Sequence, residues 1–173
     1  MAAPSHDMEI FMTASAQAAP AAGSKHELVL TRLIDVPREK LFRCWTEPEL
    51  MKQWFAPLPY TIQHAEVDLR PGGGSTIVMR SPEGEDMPMH GVYLEVVPNE
   101  RLVFTDAYTA GWEPSEKPFF TGIVTFEDEG GKTRYTARAR HWTAEDCAAH
   151  EKMGFHEGWG QCADQLAALA AKL

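Results

Sequence analysis

HEKMGFHEGWGQCADQLAALAAKL, residues 150–173, holds two His-Glu pairs, three glycines, a tryptophan and an alanine-leucine run. Two readings compete for it: a metal-binding helix, or an amphipathic helix laid on a partner surface. A zinc-type helix needs His-Glu-x-x-His, because only i and i+4 bring both imidazoles to one face. Four residues after His150 stands Gly154, and the next histidine, His156, lies about 240° round any continuous helix at ~100° per residue. Glu157 shares a face with His150 but sits about 10 Å further along the axis, too far for one ion. No metal is therefore expected, and the histidines read as packed or solvated. Phe155, Trp159, Cys162, Leu166, Leu169 and Leu173 are spaced four, three, four, three and four, a single apolar stripe. The stretch is an amphipathic helix with one face to bury, and Gln165, off the stripe, is expected to add little.

Upstream, the pattern changes period from the helical one to the strand period of two. In TRYTARARHW, residues 133–142, Arg134, Thr136, Arg138 and Arg140 take one face and Tyr135, Ala137, Ala139 and His141 the other. One wet face and one buried face imply a one-sided antiparallel sheet, with the basic stripe solvated and balanced by acidic neighbours. Further strand-like runs are separated by Pro71-Gly72-Gly73-Gly74, Ser81-Pro82-Glu83-Gly84, Pro98-Asn99 and Asp128-Glu129-Gly130-Gly131. A first strand ends at Val36-Pro37. Two short helices follow, one carrying Leu41, Phe42 and Trp45, the other Leu50, Met51, Trp54 and Phe55. Thr143-Ala144-Glu145-Asp146 resembles a capping box that opens the C-terminal helical region. The order is β-α-α-β-β-β-β-β-β-α, and the helix stripe is the natural cover for the sheet's apolar face. Small residues on the inward parity (Gly122, Ala137, Ala139) and at the helix start (Gly154, Gly158, Gly160) fit either an enclosed pocket or close helix-sheet packing.

The 173 residues suffice for one core, and 44% hydrophobic with 24% charged content is that of an ordinary globule. A formal charge of −9 argues against nucleic acid and against anionic membrane surfaces. Three cysteines, Cys44, Cys147 and Cys162, have no CxxC spacing and read as free thiols of the cytoplasm. No stretch approaches the ~20 apolar residues of a membrane span. Residues 1–24, rich in Ala, Pro and Ser, read as a disordered tail before one domain over 25–173.

VPREKLFRCWTEPELMKQWF, VDLRPGGG, MRSPEGEDMPMHGVYLEVVPNERLVFTDAY, VTFEDEGGKTRYTARARH and HEKMGFHEGWGQCADQLAAL resemble, in order, the motifs of bacterial relatives of the Hsp90 ATPase activator C-terminal domain. That family belongs to the START/Bet v 1-like (SRPBCC) superfamily. The resemblance implies an α+β helix-grip fold: a curved antiparallel sheet of about seven strands, two short helices, and a long C-terminal helix over a cavity. It brings no universal catalytic motif, and relatives range from lipid carriers to cyclases and cochaperones, so fold alone does not assign function. Many relatives place an aromatic where this chain has Ser75 and a tryptophan where it has Asp106. Both positions share the inward parity, with Ile77 and Met79 and with Phe104 respectively, so smaller polar groups there are expected to enlarge the cavity.

A two-residue hairpin at Pro98-Asn99 pairs Val96 with Leu102 and Leu94 with Phe104, then Val92 with Asp106 and His90 with Tyr108. His90 and Asp106 become diagonal neighbours on the concave face, an Asp-His couple that could act as a general base or simply satisfy itself. His141 reads first as a strand-end histidine bonded to backbone. Trp112, in the longest loop, reads as packing that loop down or as a lid. Met79, Met87, Met89 and Met153 offer adaptable walls. The expected cavity residues are thus Ser75, Ile77, Met79, His90, Val92 and Phe104 on the sheet, with Asp106, Tyr108, Trp112, His141, Phe155 and Trp159. Ser81 lacks a nucleophile elbow, and the glycines of RPGGGS lack the helix and lysine of a phosphate loop.

The expected function is binding of a small, largely apolar ligand without metal or organic cofactor. The alternatives are a cyclase- or hydrolase-type enzyme using His90 and Asp106, and an Hsp90-activator-like interaction module, ranked last because only the short tail precedes the fold. A homodimer is kept open; an Hsp90-type chaperone is disfavoured as partner.

Overall fold

The computed structural model describes residues 24–173; the expected tail up to residue 23 lies outside the described residues. Strand β1 (Glu27–Ile34) leads through Pro37 into α1 (Arg38–Thr46) and the single turn α2 (Pro48–Met51). Then come β2 (Thr61–Val67), β3 (Gly74–Arg80), β4 (Asp86–Val97) and β5 (Arg101–Thr105). A two-residue ribbon, β6 (Tyr108–Thr109) with β7 (Glu113–Pro114), precedes the long hairpin β8 (Phe120–Glu129) and β9 (Lys132–His141). Helices α3 (Ala144–Lys152) and α4 (Phe155–Ala170) follow. Seven strands make one antiparallel sheet in the order β1-β9-β8-β5-β4-β3-β2. The chain is thus an α+β fold of the expected helix-grip kind.

Strand β9 follows its alternation. Along β9, Tyr135, Ala137 and Ala139 are buried against the helices. The outward Arg134 pairs with Glu129, while Arg138 and Arg140 reach the nearly buried carboxylate of Glu27 at 3.4 and 3.0 Å. Bulges interrupt the pairing of β2 with β3 at Ile62/His64 and of β4 with β5 at Tyr93/Glu95, and each bends its strand.

The C-terminal helical region is two helices rather than one. Thr143 caps α3, its Oγ1 accepting from the Asp146 amide at 3.0 Å. Gly154 then turns the chain with φ 96°, a left-handed conformation that a side chain disfavours, and α4 begins at Phe155. Phe155 and Leu166 of the expected stripe are fully buried, while Trp159, Cys162, Leu169 and Leu173 pack half-buried around the same core. The deepest line also includes Ala163 and Ala170, whose small side chains let α4 approach β1 and α1. Gln165 is not a bystander: its Nε2 donates to the Trp54 and Ala56 carbonyls at 2.9 and 2.8 Å. It ties α4 to the chain between α2 and β2. A second, smaller core of Met51, Ala56, Ile62, Ala65 and Ile77 fills the far end of the sheet.

Candidate functional site

Between these two cores the sheet and helices do not close, and a cavity of about 480 Å³ remains. Its sheet wall is Met79, Met89, Phe104, Phe120 and Tyr135; its helix wall is His150, Phe155, Gly158, Trp159 and Cys162. The lining continues through the buried Trp54 to Phe55, Pro57 and Tyr60, and includes Met153, 76% exposed. Trp45 closes the bottom, packed on Trp54, Phe55 and Phe104 with ring centroids 4.9–5.8 Å apart. The two readings of the small residues divide by position. A Cβ on Gly158 would meet nothing within 4 Å, so that glycine opens space, whereas a Cβ on Gly122 would collide with the Phe104 ring. Gly122 therefore serves close packing. A second hollow of similar size lies on the convex face beside Val103, Ile123 and Trp142, with no helix residue in its lining among the described residues.

Of the twelve residues expected at the cavity, Met79, Phe104, Phe155 and Trp159 line it. Met89 and Met153, expected as soft walls, line it too. Ser75 does not enlarge it. The buried Tyr93 ring takes the interior space beside Ser75, and its phenol is pushed up to about 12 by burial, partly offset by the Ser75 hydroxyl. Ile77 is buried in the second core instead. Val92 is fully buried between Gly74 and Thr105, away from the cavity lining. Trp112 lies over Gly72, where an added Cβ would come within 2.8 Å of its ring, and stacks edge-on against Tyr108 at 5.9 Å. Both rings stay partly exposed, Trp112 at 53%, and neither aromatic lines the cavity.

The His90–Asp106 couple is not formed. Beyond Val96↔Leu102 the bulge shifts the register, so Val92 faces Thr105 rather than Asp106. His90 sits exposed on the outer parity, its Nδ1 3.3 Å from Thr76 Oγ1. Asp106 accepts from the Phe119 amide at 2.9 Å and the Phe120 amide at 3.2 Å. Burial raises its pKa, and those two amides oppose the rise. It holds the entrance to β8 in place, so that Phe119 and Phe120 can meet the helices.

The polar chemistry of the cavity comes from elsewhere. His141 makes the expected backbone contact, Nδ1 to the His26 carbonyl at 3.3 Å. Its Nε2 lies 2.8 Å from Nδ1 of His150, which lines the cavity. His150 is buried among Phe119, Phe120, Phe155 and Trp159, ring centroids 5.1–5.9 Å away. Burial, then the neighbouring His141, pulls its pKa down to about 4. His156, by contrast, is half exposed beside Glu151. No group of three metal-ligating side chains occurs among the described residues. Cys162 lines the cavity half-buried, and burial pushes its thiol up to about 12. Sequence reasoning read His150 as packed or solvated without placing it at the cavity, and missed Phe119 and Phe120 as walls. The available signal was the Phe119-Phe120 pair at the mouth of a strand, where two bulky aromatics cannot both face water cheaply.

The comparisons agree with this architecture. The family model described as Activator of Hsp90 ATPase homolog 1-like protein matches residues 35–171. A crystal structure of a protein from Nitrosomonas europaea is 40% identical, covers 87% of this chain and 97% of its own, and superposes with a TM-score of 0.84. A Mycobacterium smegmatis protein is 26% identical over 87% of this chain and 96% of its own, TM-score 0.68. The AHSA1-like protein from Aeromonas hydrophila shares the fold at 18% identity, covering 84% and 92% with a TM-score of 0.65. No curated protein matches the chain.

Proposed function

The chain belongs to the Activator of Hsp90 ATPase homolog 1-like family, and within it we propose that this member binds a small, largely apolar ligand between sheet and helices. The observation that carries the reading is the cavity itself: about 480 Å³, walled by aromatic rings and methionines, with a glycine where a side chain would fill it. That volume falls within the ~300–1,000 Å³ of small-molecule sites. Aromatic walls supply area at little entropic cost, and Met79, Met89 and Met153 adapt to shape. Three unpaired thiols suit a reducing compartment, and we place the protein in the cytoplasm on that ground. The separation of His90 from Asp106 removes the couple on which a cyclase or hydrolase reading rested.

A solvatochromic apolar dye tests the proposal. It should bind the folded protein with one-to-one stoichiometry, and Gly158→Leu should abolish binding by filling the open space while leaving the circular dichroism spectrum unchanged. Exclusion of every such probe by folded protein would overturn the reading and put a protein-interaction role in front.

A further inference from the structure

The hydrogen bonds of the buried histidine pair have a direction. The His26 carbonyl already accepts the His141 backbone amide at 2.8 Å, and an oxygen of this kind can only accept. Nδ1 of His141, 3.3 Å from the same oxygen, must therefore carry a proton. With both rings neutral, Nε2 of His141 is then an acceptor, and the 2.8 Å contact requires the proton on Nδ1 of His150. That leaves Nε2 of His150 as a bare lone pair, without a partner among the described residues, on a ring that lines the cavity. A backbone carbonyl of the segment before β1 thus sets, through two imidazoles, what the apolar cavity offers a ligand.

We infer that the cavity selects apolar molecules bearing one neutral hydrogen-bond donor, an alcohol, phenol or N–H, which donates to Nε2 of His150, and that His141 is its positioning residue. The inference rests on the binding reading above and adds the ligand's polar group. A ligand that covered Nε2 without a donor would strip it of water and leave it unpaired, which costs as much as a lost hydrogen bond. An ether or ketone would set lone pair against lone pair. A carboxylate would do the same unless it brought a proton to a ring whose burial already resists one.

Four matched probes at pH 8, above the ordinary histidine range, separate these cases: 1-naphthol, 1-methoxynaphthalene, naphthalene and 1-naphthoate, titrated by calorimetry or fluorescence. In wild-type protein 1-naphthol should bind about tenfold tighter than the methyl ether, the discrimination of one buried hydrogen bond. His150→Phe should erase that preference and hold naphthalene within about threefold, and His156→Phe should change neither. His141→Phe should weaken the preference without removing it. Should a histidine variant not fold, the tautomer is read directly from long-range ¹H–¹⁵N spectra of the wild type. There, Nε2 of His150 should resonate as an unprotonated nitrogen and move on addition of 1-naphthol. Equal affinity for naphthol and its methyl ether, or a protonated Nε2 at pH 8, overturns the inference and leaves apolar binding standing. Failure of all four probes to bind overturns both.

Discussion

Replacing Gln165 tests whether one carboxamide holds the cavity lining. Its Nε2 serves two carbonyls at 2.9 and 2.8 Å, those of the buried Trp54 and Ala56, while its Oε1 is buried without a partner among the described residues. Two bonds at about 1 kcal/mol net each, less what is regained by removing an orphaned oxygen, give about 1–2 kcal/mol for Gln165→Ala. Gln165→Glu is the sharper perturbation. Length and shape are kept, but both donors become acceptors, and a carboxylate faces two carbonyls in a half-buried site. At pH 8 it should cost about 3 kcal/mol or more. The sign with pH follows from the site: the buried carboxyl has a raised folded pKa, and its protonated form can donate. The variant therefore regains stability as pH falls through that pKa and loses it as pH rises. Urea unfolding at 25 °C measures all three proteins, and dye titration of the same samples should show weaker binding, since Trp54, Phe55 and Pro57 line the cavity. A Gln165→Ala protein within 0.5 kcal/mol of wild type, as its place off the helix stripe had suggested, would refute the bridge. So would a Gln165→Glu protein whose stability deficit is independent of pH.

Three further outcomes follow from the packing. Leu166→Ala, at a fully buried position of α4, should cost about 2–5 kcal/mol in the same assay, and a loss below 1 kcal/mol would show that α4 buries another face. Gly122→Ala should cost about 1–3 kcal/mol, because the Phe104 ring occupies the place of its Cβ; a stabilised variant would mean that the ring lies elsewhere. His150 has a folded pKa of about 4 against 6.5 unfolded, so its neutral form stabilises the fold above pH 6.5 and that contribution, about 3 kcal/mol, is lost as pH falls toward 4. Wild type should lose stability relative to His150→Phe as pH falls over that window, and parallel curves would contradict the burial of the ring.

The fold was legible because its signals are periodic and long. The stripe from Phe155 to Leu173 and the alternation in β9 each repeat often enough that one misplaced residue changes nothing. The break at Gly154 was visible as a residue but not as an event, since a glycine inside a helical pattern is tolerated more often than it ends one. The role of Gln165 was hidden for another reason: its partners are backbone carbonyls on a distant segment, and a carbonyl has no letter in the sequence.

The site was less legible, and a single residue accounts for most of that. From the hairpin, Val96↔Leu102 was paired correctly, and Glu95 still faces Val103. Then Phe104 faces Tyr93 instead of Leu94, because the bulge inserts one residue into β4. With a side-chain period of two, one inserted residue sends every position N-terminal to it on that strand to the opposite face. Tyr93, Gly91 and Met89 turn inward and His90 turns out, which separates it from Asp106 and brings Met89 to the cavity. In VYLEVV, residues 92–97, the apolar run is compatible with both registers, so its pattern cannot choose between them. The choice is made by volume: the buried face needs the Tyr93 ring beside Ser75, a gap that the smaller Leu94 would leave partly empty. The small residue at position 75 is thus matched by a large one two strand positions away, and the cavity opens where no such match exists, beside Gly158.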